Sequence, residues 1–182
     1  MMRSMKTADF TLHPFAAPSE TGITLGGTIR RDSGRLCLTY RLHGPLHHLC
    51  IFPPSVEPQR RHELWKGTCL EGFIQPAGSS AYWELNLSPA GHWNLYRFDA
   101  YRQGMREEPA IAKTNITVKT CVDQIDLGTE VDLSALGIGS EKLAIGLSAV
   151  IRALDGHLDY WALTHPDTKP DFHHPRSFVI GL

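Results

Sequence analysis

The chain has no apolar run of membrane-spanning length, no block of like charge and no closely spaced cysteines. Each absence removes a class of protein. Without about 20 consecutive apolar residues no transmembrane helix is expected. With a formal net charge of −1 and scattered basic residues there is no electrostatic footprint for nucleic acid or an anionic bilayer. The opening MMRSMKTADF carries Lys6 and Asp9 where a secretory leader would need an unbroken apolar stretch, so a cytoplasmic protein is expected. The four cysteines, Cys37, Cys50, Cys69 and Cys121, form no C-x-x-C pair, which excludes a zinc knuckle or a thioredoxin-like motif. They are expected as small buried hydrophobes rather than a disulfide framework. No G-x-S-x-G elbow, P-loop or dinucleotide fingerprint occurs. Internal repeats and low-complexity tracts are absent as well.

What remains is ordinary globular composition, 42% hydrophobic and 20% charged over 182 residues, enough for one domain covering 1–182. Strand patterning dominates it. In RLCLTYRL, Leu36, Leu38, Tyr40 and Leu42 share one face and Arg35, Cys37, Thr39 and Arg41 the other. Similar runs are LEGFIQ, AYWELNLS, HWNLYRFDAY, ITVKTC, KLAIGLSAVI, LDYWALT and SFVIGL, each bounded by turn-forming residues. Helical signals are few: VDLSALGI suits one short turn, and the alternation of Leu143, Ile145, Leu147, Ala149 and Ile151 suits a strand. Many short strands with frequent turns predict an all-β, antiparallel two-sheet sandwich, of jelly-roll or immunoglobulin-like type.

The most informative local element is AYWELNLSPAGHWNLYRFDAY. Pro89 and Gly91 fit a type I turn followed by a left-handed residue, the three-residue hairpin with a glycine bulge. Pairing Ser88 with His92 then sets Asn86 opposite Asn94, Glu84 opposite Tyr96 and Tyr82 opposite Phe98. Those residues share one face. Trp83, Leu85, Leu87, Trp93, Leu95 and Arg97 share the other, which reads as core. The polar and aromatic face either lines a cleft or is a solvated outer face.

The stretch ELWKGTCLEGFIQ with Y-x-E-x-N-x-SP-x-G after it, and the tail YWALTHPDTKPDFHHPRSF, resemble the DOMON-like proteins of bacteria. More distantly, the strand-turn-strand block is similar to family 9 carbohydrate-binding modules. These segments cover a little over a third of the chain. The resemblance implies a β-sandwich and a binding role, for a sugar or a haem, rather than an activity. Relatives with acidic pairs in the turn after the tryptophan could hold calcium there, but here that turn is Lys66, Gly67, Thr68.

A sugar site needs aromatic faces against pyranose C–H surfaces and planar polar groups for the hydroxyls. The candidates are Trp65, Glu71, Tyr82, Glu84, Asn86, Tyr96, Arg97, Asp99, Tyr101 and Arg102, with Trp83 and Trp93 read as core. Arg97 and Asp99, on the core face by alternation, are expected either in a structural salt bridge or as binding residues. Binding of a small polar ligand, a saccharide or glycoconjugate, is the leading expectation. A hydrolase using Glu71 and Glu84 is the enzyme alternative. A metal-assisted one would draw on His165, Asp171, His173 and His174, although their spacing matches no standard metal motif. Haem, with His165, His173 or Met105 as axial ligands, lacks an attachment motif, so no cofactor is expected. A protein-interaction domain is the third reading.

Overall fold

The structure, a computed structural model, describes residues 5–18 and 22–182. Residues 1–4, part of the opening segment read for a leader, lie outside the described residues. Among the described residues twelve strands run in chain order. The first three are β1 (Lys6–Pro14), β2 (Thr24–Asp32) and β3 (Arg35–His43). The central hairpins use β4 (Cys69–Pro76), β5 (Tyr82–Leu87), β6 (Trp93–Phe98) and the short β7 (Arg106–Glu107). The last five are β8 (Ile116–Thr120), β9 (Gln124–Asp132), β10 (Leu143–Arg152), β11 (Leu158–Ala162) and β12 (Ile180–Gly181).

Every strand pairing is antiparallel. One sheet has the order β8-β9-β3-β2-β1, the other β7-β6-β5-β4-β10-β11, and β12 adds to the start of β10. β1 joins them. Its residues Lys6–Leu12 pair with β2, and then His13 and Pro14 pair with Ala162 and Trp161 of β11. The result is a curled sheet folded on itself into the expected all-β sandwich.

Alternation explains the core. Leu36, Leu38, Tyr40 and Leu42 of β3 are buried while Arg35, Thr39 and Arg41 are exposed. Facing them from the second sheet are Leu70, Leu85, Leu87, Leu95, Leu147 and Trp161, all in one apolar cluster. Each such side chain contributes roughly 1.5–3 kcal/mol by leaving water. The sheets also meet through a polar contact: the Tyr40 hydroxyl donates to the Glu71 carbonyl at 2.5 Å.

The hairpin register is the one the turn dictates, with Tyr82, Glu84 and Asn86 opposite Phe98, Tyr96 and Asn94. Gly91 sits at φ +84°, in the left-handed region, and its N–H donates to Ser88 at 2.9 Å. Three expectations change. β1, β2, β7 and β9 escape the sequence reading. SFVIGL is a strand only at Ile180–Gly181, because Pro175–Ser177 forms a 3-10 turn. Of the cysteines, only Cys69 is buried; Cys37 and Cys50 are half-buried, Cys121 is exposed, and all four are free thiols.

Candidate functional site

The second sheet has an outer face, turned away from the inter-sheet core. Alternation puts Cys69, Glu71 and Phe73 of β4 there, with Tyr82, Glu84 and Asn86 of β5 and Asn94, Tyr96 and Phe98 of β6. Through register it adds Ser148 and Val150 of β10 and Tyr160 of β11. This face is not a solvated surface: Glu84 is 5% exposed and Asn86 fully buried. Three segments cover it. The turn before β4 contributes Trp65 and Lys66, the loop after β6 contributes Arg102 and Met105, and the tail after β11 contributes Pro170, Phe172 and His173. Between cover and sheet lies a cavity of about 520 Å³, floored by Glu71, Glu84, Phe98, Val150, Leu158 and Tyr160.

The cover is anchored by its own small aromatic core of Phe73, Tyr82, Tyr96, Phe98 and Phe178, against which Trp65 and Phe172 pack. Tyr82 stacks on Phe98 with centroids 4.8 Å apart, and Phe178 stacks on Phe73 at 5.5 Å. Phe178 reaches that position because residue 146 is glycine: a Cβ there would stand 2.4 Å from the Phe178 ring. Two rim segments use strained backbone. Glu63 (φ 59°) and Arg102 (φ 54°) are non-glycine residues in the left-handed region, a conformation that clusters at ligand sites.

The cavity's electrostatics come from burial. Glu71 titrates well above the ordinary carboxyl range, first because it is buried and then because Glu84 is close; its Oε2 accepts from the Ser148 hydroxyl at 3.2 Å. Burial likewise pushes Glu84 up to about 7, partly offset by the Asn86 amide, which donates to its Oε1 at 2.8 Å. His173 Nδ1 lies 2.7 Å from the Tyr82 hydroxyl, and burial with Arg102 nearby lowers it to about 4. Its Nε2 is 3.7 Å from Glu84 Oε2, but with His173 neutral near pH 7 this is a polar contact rather than an ion pair. Arg102 is bound to Asp171 at 2.8 Å. Burial would raise Asp171, yet hydrogen bonds from Tyr101 and Arg102 outweigh it and hold it below the usual range.

Of the residues expected from the sequence, Trp65, Glu71, Glu84 and Arg102 line the cavity. Tyr82, Asn86 and Tyr96 stand behind them: Tyr82 holds His173, Asn86 holds Glu84, and Tyr96 meets the Trp65 ring edge-on at 5.8 Å. Tyr101 reaches the site through Asp171 and through the Arg102 guanidinium, 5.8 Å from its ring centre. Arg97 and Asp99 are not brought to it. Arg97 lies on the core side, its guanidinium 5.4 Å from the Trp83 ring centre, and Asp99 is exposed and bound by Arg106 at 2.8 Å. Trp83 and Trp93 are core residues, 4% exposed each.

The histidine-rich tail does not gather as a ligand set. His165 is 2.8 Å from the His13 carbonyl, His174 Nδ1 accepts from the Arg176 N–H, Asp171 serves Arg102 and Tyr101, and His173 serves Tyr82. Among the described residues no group of three His, Cys, Asp or Glu is placed to hold a metal. The haem candidates also separate: Met105 and His173 line the cavity and His165 does not.

The sequence reading missed Phe98, Val150, Leu158, Tyr160 and Phe172 as lining residues. Phe98 carried a signal, since the hairpin register already paired it with Tyr82. The others depend on β4–β10 and β10–β11 pairing or on the tail's path, which no local pattern shows.

No family model matches the chain, and no curated protein matches it in sequence. The likeness is in three dimensions. A provisionally named carbohydrate-binding protein from Bacteroides uniformis superposes with a TM-score of 0.64 at 14% identity, over 92% of this chain and 84% of that one. A family 9 carbohydrate-binding module from Caldicellulosiruptor kristjanssonii in complex with cellotriose gives 0.58 at 10% identity, over 95% and 80%. A family 9 module of the same organism in complex with glucose gives 0.50 at 10%, over 82% and 71%. What the chain shares with them is the fold, an antiparallel β-sandwich like that of the family 9 carbohydrate-binding modules.

Proposed function

We propose that the chain is a saccharide-binding module of DOMON-like type, a single domain over residues 1–182, and that the cavity on the second sheet is its site. One observation carries this: two buried carboxyls, Glu71 and Glu84, sit at the floor of a cavity of about 520 Å³ whose aromatic lining is Trp65, Phe98, Tyr160 and Phe172. Carboxyls at the floor suit hydroxyl groups, each oxygen accepting and a protonated one also donating. Aromatic walls suit the C–H faces of a pyranose. The volume lies within the usual range for small-molecule pockets, roughly 300–1,000 Å³. The family 9 modules of like fold in complex with glucose and cellotriose support the same reading.

In this reading Trp65, Glu71, Glu84 and Arg102 touch the sugar, while Tyr82, Asn86, Tyr96 and Tyr101 position them. The test is calorimetric titration with neutral and amino sugars, from monosaccharides to trisaccharides, on the wild-type protein and on Trp65→Ala. Saturable heat that the variant loses is the expected result; no heat from any sugar would overturn the reading. A carboxyl titrating near 7 also suits a general acid. Products are therefore analysed after each titration, and cleavage of a trisaccharide would replace binding by hydrolysis.

A further inference from the structure

The cavity's charges do not balance locally. Glu71 and Glu84 are 3% and 5% exposed, and their hydrogen-bond donors, Ser148 and Asn86, are neutral. The two cations on the wall are engaged elsewhere. Lys66 Nζ is 2.7 Å from Glu63, and Arg102 is 2.8 Å from Asp171, neither of which lines the cavity; Arg102 also lowers both carboxyls as a nearby charge, but less than burial raises them. Buried carboxylates without a partner cation are costly, so in the empty site they are driven toward the protonated form. A ligand cation would remove that cost. The walls point the same way, since aromatic rings attract cations through their quadrupoles, most strongly where water is excluded.

Resting on the saccharide reading above, we propose that the cavity selects a sugar with a free, protonated amine, a hexosamine unit whose ammonium sits between Glu71 and Glu84 with Trp65, Phe98 and Tyr160 around the ring. A hydroxyl in place of the amine adds no counter-charge to that of Arg102, which does not outweigh burial. One ammonium offsets one of the two carboxylate charges, so binding shifts the pair toward its ionised form and releases protons to the solvent. The carboxyls are the source of those protons. Burial pushes Cys69, Tyr40 and Tyr82 further up and His173 down, and Lys66 and Arg102 are held in ion pairs.

The experiment compares three disaccharides of one linkage by calorimetry: β-1,4-linked glucosamine, cellobiose and the N-acetylated form of the first. Each is titrated in two buffers of different ionisation heat, and tetramethylammonium is run as a sugar-free cation. The amine disaccharide is expected to bind roughly tenfold or more tighter than cellobiose, with net proton release at neutral pH, because a charged hydrogen bond replaces a neutral one. In the double variant Glu71→Gln, Glu84→Gln that gap closes. Equal or tighter binding of cellobiose, or of the N-acetylated sugar, overturns the amine inference and leaves the saccharide reading standing. Binding of tetramethylammonium without any sugar overturns the saccharide reading instead, and with it the hexosamine, leaving only the ammonium seat. Silence from every probe overturns both.

Discussion

The two sheets have outer faces of similar polarity and opposite fate. On the first sheet, Arg35, Thr39 and Arg41 stand in solvent, with Arg35 on Glu130 at 2.9 Å and Arg41 on Asp126 at 2.8 Å. Exposed pairs of that kind contribute about 0–1 kcal/mol and are screened by salt. On the second sheet, Glu71, Glu84, Asn86 and Asn94 are buried, and the carboxyls shift upward. Both faces follow the same period-2 rule behind the same core. The difference comes from what covers them: the loops and tail that bring Trp65, Arg102 and Phe172 over one face leave the other bare. A polar strand face becomes a site when a remote segment closes over it.

The contrast can be broken most severely at Gly146. Gly146→Leu puts a side chain where Phe178 packs, so the tail must shift. A loss of about 2–3 kcal/mol in urea unfolding is expected, together with loss of saccharide binding. Unchanged binding would mean that the cover does not make the site.

Next comes a matched pair. At mildly acidic pH, Glu84→Ala leaves the Asn86 amide without its partner and opens a void, at a cost of about 1–3 kcal/mol. Thr39→Ala, on the bare face, is expected within about 0.5 kcal/mol. Equal effects in chemical denaturation would erase the distinction between the faces.

The same contrast appears as a pH dependence. Glu84 titrates near 7 when folded against an ordinary 4.5, so the folded state holds the extra proton. Its burial costs nothing below 4.5 and destabilises progressively as pH rises through about 7; Glu71 acts in the same direction. His173, lowered from 6.5 to about 4, works oppositely, costing stability as pH falls below 6.5. Above 6.5 only the carboxyls of this group act. The melting temperature of Glu84→Gln should therefore gain on the wild type as pH rises from about 5 to about 8. Parallel profiles for the two proteins would contradict the upward shift.

The hairpin was legible because a turn of fixed geometry sets the register of two strands, and Gly91 could be placed in the left-handed region from its position alone. β3 was legible because its alternation is uninterrupted. β9 has the same signal at Ile125, Leu127 and Val131, but Thr129 breaks its apolar face and Gly128 beside it weakens the strand pattern, and in β2 the pair Gly26 and Gly27 interrupts it. Four lining residues of the site, Trp65, Glu71, Glu84 and Arg102, were visible as residue types. Its enclosure was not, since that depends on Phe178 finding Gly146 and on β4 pairing with β10, contacts between segments far apart in sequence. Arg97 was read as core-facing by alternation, and its placement over Trp83 follows that rule. Where the histidines of the tail point could not be read, because spacing alone does not show the path of an irregular segment.

The most direct measurement uses the four tryptophans. Trp83, Trp93 and Trp161 belong to the inter-sheet core, and Trp65 lines the cavity. In a two-dimensional NMR titration with the β-1,4-linked glucosamine disaccharide, the Trp65 indole N–H should move with saturation while the three core indoles stay in place. Movement of backbone signals around Thr39 and Arg41 with a stationary Trp65 would put the ligand on the wrong sheet and contradict the site.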